Sequence, residues 1–144
     1  GKYFDLIEGS ISAVKSAIEA AKKALPDKLI DSFVLGNPHD SIFQAIWGTT
    51  IVEQPGALGI LETYSVAQAI VGADVAAKTA DVKLVELRLA RGMCGKSYMI
   101  LTGEVAAVTS AIEAAKKSAG EYGMYLDSSV IAGPDEKTWR KIVL

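Results

Sequence analysis

One stretch of this sequence is written twice. Residues 1–23, GKYFDLIEGSISAVKSAIEAAKK, lie over residues 95–117, GKSYMILTGEVAAVTSAIEAAKK, at a constant offset of 94, with 13 of the 23 positions identical. After a two-residue difference in length the match resumes at an offset of 96, setting residues 30–38 against residues 126–134. A match of this length crosses more than one structural element, so chance similarity between two alanine-rich helices does not explain it. Duplication does, and it requires each half to fold on one plan.

Period and punctuation give the plan. Residues 57–62 form a short apolar run after Pro55-Gly56 and read as a buried strand. Residues 63–79 carry Val66, Ile70, Ala73 and Ala77 at helical spacing, with Ser65 placed to cap the helix. Residues 82–90 alternate, with Val85, Leu87 and Leu89 expected on one face and Glu86 and Arg88 on the other. A second strand, residues 96–102, follows across the turn Gly92-Met93-Cys94-Gly95, which predicts a hairpin. A helix then runs from Gly103 to about Gly120, with Glu104 at the positive end of its dipole, followed by a strand over 124–132 and a short helix starting at Pro134. Residues 57–144 thus spell one complete β-α-β-β-α-β-α unit. Residues 1–46 supply its second half, β-α-β-α, and 47–56 the linker. Short alanines allow both main helices to seat closely on one face of an antiparallel sheet, an α+β layered domain.

Composition sets the limits. A length of 144 residues, half of them hydrophobic, suffices for a packed core. Fifteen basic against seventeen acidic residues leave a net charge of −2, so no positive field argues for nucleic acid or an anionic membrane. The longest uncharged run, broken by Gln44 and Gly48, is too short to span a bilayer. One cysteine cannot form an internal disulfide, and no signal-peptide pattern leads the chain, so a cytoplasmic protein is expected. The mean hydropathy of +0.27 is high for a chain without a membrane segment and points to apolar surface buried against other copies.

The run Ala57-Leu58-Gly59-Ile60-Leu61-Glu62-Thr63, the segment from Ala73-Asp74-Val75 to Asp81-Val82 that contains Lys78, and the Gly95-Lys96 hairpin together resemble the bacterial microcompartment shell domain. The resemblance covers all of 57–144, and 1–46 is similar to the latter part of a second such domain. Two tandem ferredoxin-like domains, the first incomplete, resemble the trimeric class of shell protein, and especially its iron–sulfur-carrying members from propanediol-utilisation compartments. Roughly forty residues of the first repeat are expected to be missing from this sequence, judged from the opening half of the second. The family's usual arginine before the proline of the last strand is replaced by Gly133 in one repeat and Asn37 in the other, so edge docking through that side chain does not carry over.

The resemblance implies a homotrimer with a pseudohexameric outline and a central pore, packing with other shell proteins around enclosed enzymes in the shell of a cytoplasmic microcompartment. It places Arg91, Gly92, Met93, Cys94, Gly95 and Lys96 at the pore. Three copies of Cys94 would converge there. Three thiolates can hold three irons of a [4Fe–4S] cluster and leave the fourth open, whereas the plainer alternative is a free thiol lining a channel. In the iron–sulfur members the cysteine lies in the hairpin of the first repeat. Arg91 and Lys96 would favour anionic metabolites. Lys78 matches the family's tile-edge lysine, although a lysine near a helix C-terminus also suits the dipole alone.

The remaining candidates read as structural. His39, the only histidine, has no nucleophile motif beside it. Trp47 and Trp139 are expected to anchor terminal helices, and Asp31 and Asp127 to serve turns. Glu19 with Lys22 and Lys23, and Glu113 with Lys116 and Lys117, read as solvated helix charges. Phosphate-loop, zinc and nucleophile-elbow motifs are missing, so an enzyme is not expected. A ferredoxin-like module sensing a small metabolite is the alternative function.

Overall fold

A strand with apolar side chains at both parities must be covered on both faces, and Ala57–Thr63 is such a strand. In the computed structural model, which describes residues 2–143, it forms β1. The other elements are α1 (Ile11–Ala24), α2 (Ser41–Trp47), α3 (Val66–Thr79), β2 (Val82–Leu89), β3 (Ser97–Gly103), α4 (Val105–Glu121), β4 (Tyr125–Ile131) and α5 (Glu136–Ile142). The four strands make one antiparallel sheet in the order β2-β3-β1-β4, with β1 paired to both β3 and β4. The β-α-β-β-α-β-α order expected for residues 57–144 is present, and the domain is α+β.

The two faces are covered differently. On one, α3 and α4 bury Ala57, Leu61, Leu84, Leu87, Met99 and Leu101 against Ala73, Val108, Ala111, Ile112 and Ala115. On the other, Trp139 of α5 packs with Leu58, Val85 and Ile100 and is only 5% exposed. The expectation of helices on one face is corrected by this: alternation along β1 and β3 leaves Leu58, Ile60, Tyr98 and Ile100 on the far side, where they need an apolar cover. Val85 is a second correction. The β2–β3 register shifts between Leu84 and Glu86, so the residue between them is an extra one, and Val85 turns to the Trp139 face instead of sharing that of Leu87.

Ser65 caps α3 as its sequence position predicts, its hydroxyl accepting from the Gln68 amide at 3.1 Å. Pro134 lies just outside α5, whose N-cap is Asp135.

Residues 2–56 depart furthest from expectation. They contribute α1 and α2, and no described residue among them lies in a strand. The second-repeat counterparts of their expected strands are β3, which sits between β1 and β2, and β4, which pairs with β1. Residues 2–56 hold no counterpart of β1 or β2, and an extended segment without a ladder partner leaves its amides and carbonyls to solvent. The consequence reaches α1. Its Val14, Ala17, Ile18 and Ala21 match the α4 residues Val108, Ala111, Ile112 and Ala115, yet no α1 residue is buried. Helix α2 instead leaves its repeat frame to seat Ile42 and Ala45 in the main core, over the edge strand β2. Trp47, at its end, is 75% exposed, which corrects its expected role as an anchor. Gly1, the counterpart of Gly95, lies outside the described residues.

Gly59 marks the tightest seat of helix on sheet. A Cβ there would stand 2.7 Å from Leu101 Cδ1, 2.9 Å from Val108 Cγ1 and 3.0 Å from Ile112 Cγ1, all on buried side chains. Gly59→Ala should therefore lower stability by about 1–3 kcal/mol. Gly120→Ala in α4, with nothing within 4 Å, should raise it by up to about 1 kcal/mol. Urea unfolding midpoints of the two variants should move in opposite directions.

Candidate functional site

The turn between β2 and β3 gathers most of the residues singled out from sequence. The ladder ends at the pair Leu89 and Ser97. Ser97, fully buried, fixes the base of the turn, its Oγ accepting from the Ala90 amide at 3.1 Å. Beyond it Arg91, Gly92 and Cys94 are exposed, and Met93, Gly95 and Lys96 half-buried. Two internal hydrogen bonds hold the turn: the Met93 amide donates to Ala90 O at 3.4 Å and the Lys96 amide to Met93 O at 3.2 Å. Ala90 and Cys94 take positive φ of 56° and 54°, which residues with a side chain adopt seldom, and Gly92 and Gly95 take 71° and 91°. The Cys94 thiol is free. Among the described residues no group of three histidine, cysteine or acidic side chains could hold a metal ion, so one chain offers one thiol.

Sequence reasoning missed a residue at this turn. Lys2 lies across Gly95, its Cδ 2.7 Å and its Nζ 3.6 Å from where a Cβ would stand. The repeat held the signal, since Lys2 is the counterpart of Lys96 at the offset of 94. Lys96 itself reaches toward Glu62, at 3.8 Å.

Lys78 lies elsewhere, in the last turn of α3. Its ammonium donates to Asp74 Oδ2 at 2.7 Å and to the Asn37 carbonyl at 2.6 Å. Asp74, almost fully buried, also accepts from the His39 amide at 2.8 Å. At the other end of α3, Asp31 Oδ2 accepts the Ser65 hydroxyl at 2.6 Å. Residues 31–39 therefore run along α3 and are tied at both ends. The Asp74–Lys78 spacing of four was visible in the sequence, but that a distant segment would use it was not. Asp31 and Asp127 each accept from the next residue's amide at 2.8 Å, but the turn role expected of them is corrected: Asp127 lies within β4, and Asp31 holds its segment to the Ser65 hydroxyl. The His39 ring reaches only Ser41.

A third cluster lies on the sheet face that carries α5. Glu86 pairs with Arg88 at 2.7 Å, and Arg88 stands 5.5 Å from the centre of the Tyr98 ring. The hydrogen bond and charge of Glu86 raise the Arg88 pKa, and burial followed by the Glu86 charge raises that of Tyr98 against the opposing pull of Arg88.

Residues 57–134 match the BMC domain, the shell domain of bacterial microcompartments. Over 143 residues, 99% of this chain and 78% of the relative, the sequence is 42% identical to the bacterial microcompartment shell protein PduT of Citrobacter freundii. The chain belongs to the bacterial microcompartment shell protein family. Its fold agrees with a solved microcompartments protein from Desulfitobacterium hafniense DCB at a TM-score of 0.81 and 42% identity, over 92% of this chain and 73% of that one. The domain match takes in the β2–β3 turn, Asp74 and Lys78, and both relatives extend the likeness into residues 1–56.

Two outcomes test these clusters. Asp74→Ala should cost about 1–3 kcal/mol, because it removes the nearly buried carboxylate that accepts from both the His39 amide and the Lys78 ammonium, whereas Lys78→Ala, at a partly exposed pair, should stay within about 1 kcal/mol. Hydrogen exchange at the His39 amide should quicken in the first far more than in the second. For Tyr98, an ultraviolet absorbance titration should show a phenol ionising above the ordinary value of 10.0. Its contribution to stability is whole below that value and fades as pH rises through the raised one.

Proposed function

We propose that this shell protein is a tandem-repeat tile. Three copies close into a ring with threefold symmetry and a six-lobed outline, the β2–β3 turns surround a central opening, and tiles pack edge to edge with other shell proteins around enclosed enzymes. The observation that carries this reading is the seat of Lys2 on Gly95, which joins a position of the first repeat to the turn that its own counterpart occupies in the second. Repeats whose equivalent turns meet at one place suit a ring that alternates the two around an axis. The tile's work is structural: it separates two solutions and lets selected solutes pass. PduT is named as a shell protein, and the comparisons give the metabolite-sensing alternative no support.

Cys94 fits a place at that opening. It is exposed, free and on the turn itself, and a threefold ring would add two more thiols to its one. Three Cys94 thiolates would hold three irons of a [4Fe–4S] cluster, which when bound supplies one-electron transfer across the shell. Gly92 and Gly95 let the backbone turn closely enough for the thiols to approach. The Lys78 side chain is 44% exposed and two of its three donors are committed within the chain, so one remains for the edge of a neighbouring tile. No described helix is long and apolar enough to cross a membrane, and the proposed place of work is the microcompartment shell in the cytoplasm.

Anaerobic purification of the wild type and Cys94→Ser, with iron and sulfide quantified and sedimentation run on both, tests the tile and its cofactor together. About four irons per trimer, lost in the variant, are expected. A trimer free of iron would leave a pore lined by a plain thiol. A monomer at shell-like concentrations would overturn the tile.

A further inference from the structure

The order β2-β3-β1-β4 leaves β2 at an edge of the sheet, paired only with β3. An antiparallel strand turns every second amide and carbonyl away from its partner, and an unclaimed row of this kind is a template for a further strand. Among the described residues nothing outside β3 bonds to the backbone of residues 83–89; α2 packs side chains over β2 and gives it no hydrogen bond. A groove of about 530 Å³ runs along this edge. Its lining takes in all of residues 85–89, which a hollow on one face of the sheet could not do, because successive side chains point to opposite faces. The end of α2 at Trp47, the end of α5, and Phe4 and Leu6 make the other walls. At about 3.3 Å per residue, the stretch of β2 involved matches four or five residues of extended chain. Two polar groups along the groove are unclaimed as well. Thr50 Oγ1 is buried without a hydrogen-bond partner, and Arg91 belongs to no ion pair among the described residues, whereas Arg88 is held by Glu86.

The chain carries its own sample of what such an edge accepts. Residues 3–9 are the repeat counterpart of β3, the strand that β2 already pairs with, and they set Phe4 and Leu6 on the groove with Asp5 between them, yet they form no ladder there. We propose that the β2 edge is a docking site for an extended peptide segment of another protein, which adds a strand to the sheet. The free amides and carbonyls of β2 bind its backbone, the groove takes its alternate apolar side chains, and Arg91 pairs with an acidic side chain between them. The recognised chemistry is therefore a short strand of apolar, acidic and apolar residues in succession. The groove is complete within one chain, so this site stands apart from the ring and its opening.

The test uses the 144-residue chain and a synthetic peptide of residues 2–9, KYFDLIEG. The peptide lacks tryptophan, so the emission of the exposed Trp47 reports its binding. A saturable blue shift is expected, together with slower hydrogen exchange at alternate amides of β2. N-methylation of alternate peptide amides in one phase should weaken binding about ten-fold or more, and in the other phase should leave it nearly unchanged, because an added strand bonds along one edge only. Asp5→Lys in the peptide should weaken binding to the wild type about two- to five-fold, and Arg91→Glu in the protein should reverse that preference. Equal binding of a scrambled peptide, or equal effects of the two N-methylation phases, would overturn the proposal. Binding that leaves exchange at β2 unchanged would overturn it too, by giving the groove to a helical ligand. Sedimentation checks the remaining occupant: self-association of the chain that the peptide disperses would assign the groove to a second copy instead of a partner.

Discussion

Everything in this molecule hangs on β1 having a neighbour on each side and a cover on each face. Its backbone is used up by β3 and β4, and its side chains alternate between the α3–α4 layer and the Trp139 layer. Gly59 sets how near α4 can come, because no side chain fits between that strand position and Val108 or Ile112. From this follows the depth at which α4 lies on the sheet. The same arrangement leaves the β2–β3 turn at the rim of the sheet, outside the two packed layers.

The chain's first 56 residues carry repeat sequence in other surroundings. The α1 sequence carries the stripe that α4 buries, and the segments flanking it carry the apolar residues of β3 and β4. Without partners equivalent to β1 and β2 among the described residues, α1 stays exposed and its flanks stay out of any ladder. What docks this part is polar and local: Asp31 on the Ser65 hydroxyl, the His39 amide on Asp74, and the Asn37 carbonyl on Lys78. These contacts line α3 from cap to last turn, and α2 then closes over β2 by burying Ile42 and Ala45. Sequence identity between repeats therefore does not give them the same surroundings.

For function, the geometry gives the turn more weight than the thiol it contains. A lone Cys94 can do little in one chain, whereas the positive φ of Ala90, Gly92, Cys94 and Gly95 shapes the turn whether or not three chains meet. Membership of the microcompartment shell family supplies the setting in which such a turn would matter, a wall with a solution on either side.

The element order of residues 57–144, the N-cap of α3, the hairpin and the exposed glycine-rich turn were all legible in the sequence, because they depend on local chemistry: period, punctuation and the φ freedom of glycine. So was the kinship of Lys2 with Lys96. The tertiary structure alone decided that Val85 crosses to the Trp139 face, since a bulge is a mismatch between two strands and neither records it. It decided that Lys78 is tied to Asn37, that Trp47 is bare while Trp139 is buried, and that Lys2 lies over Gly95. Each of these joins residues far apart in the chain, where no local propensity acts and only the closing of the sheet and the seating of helices upon it determine which groups meet.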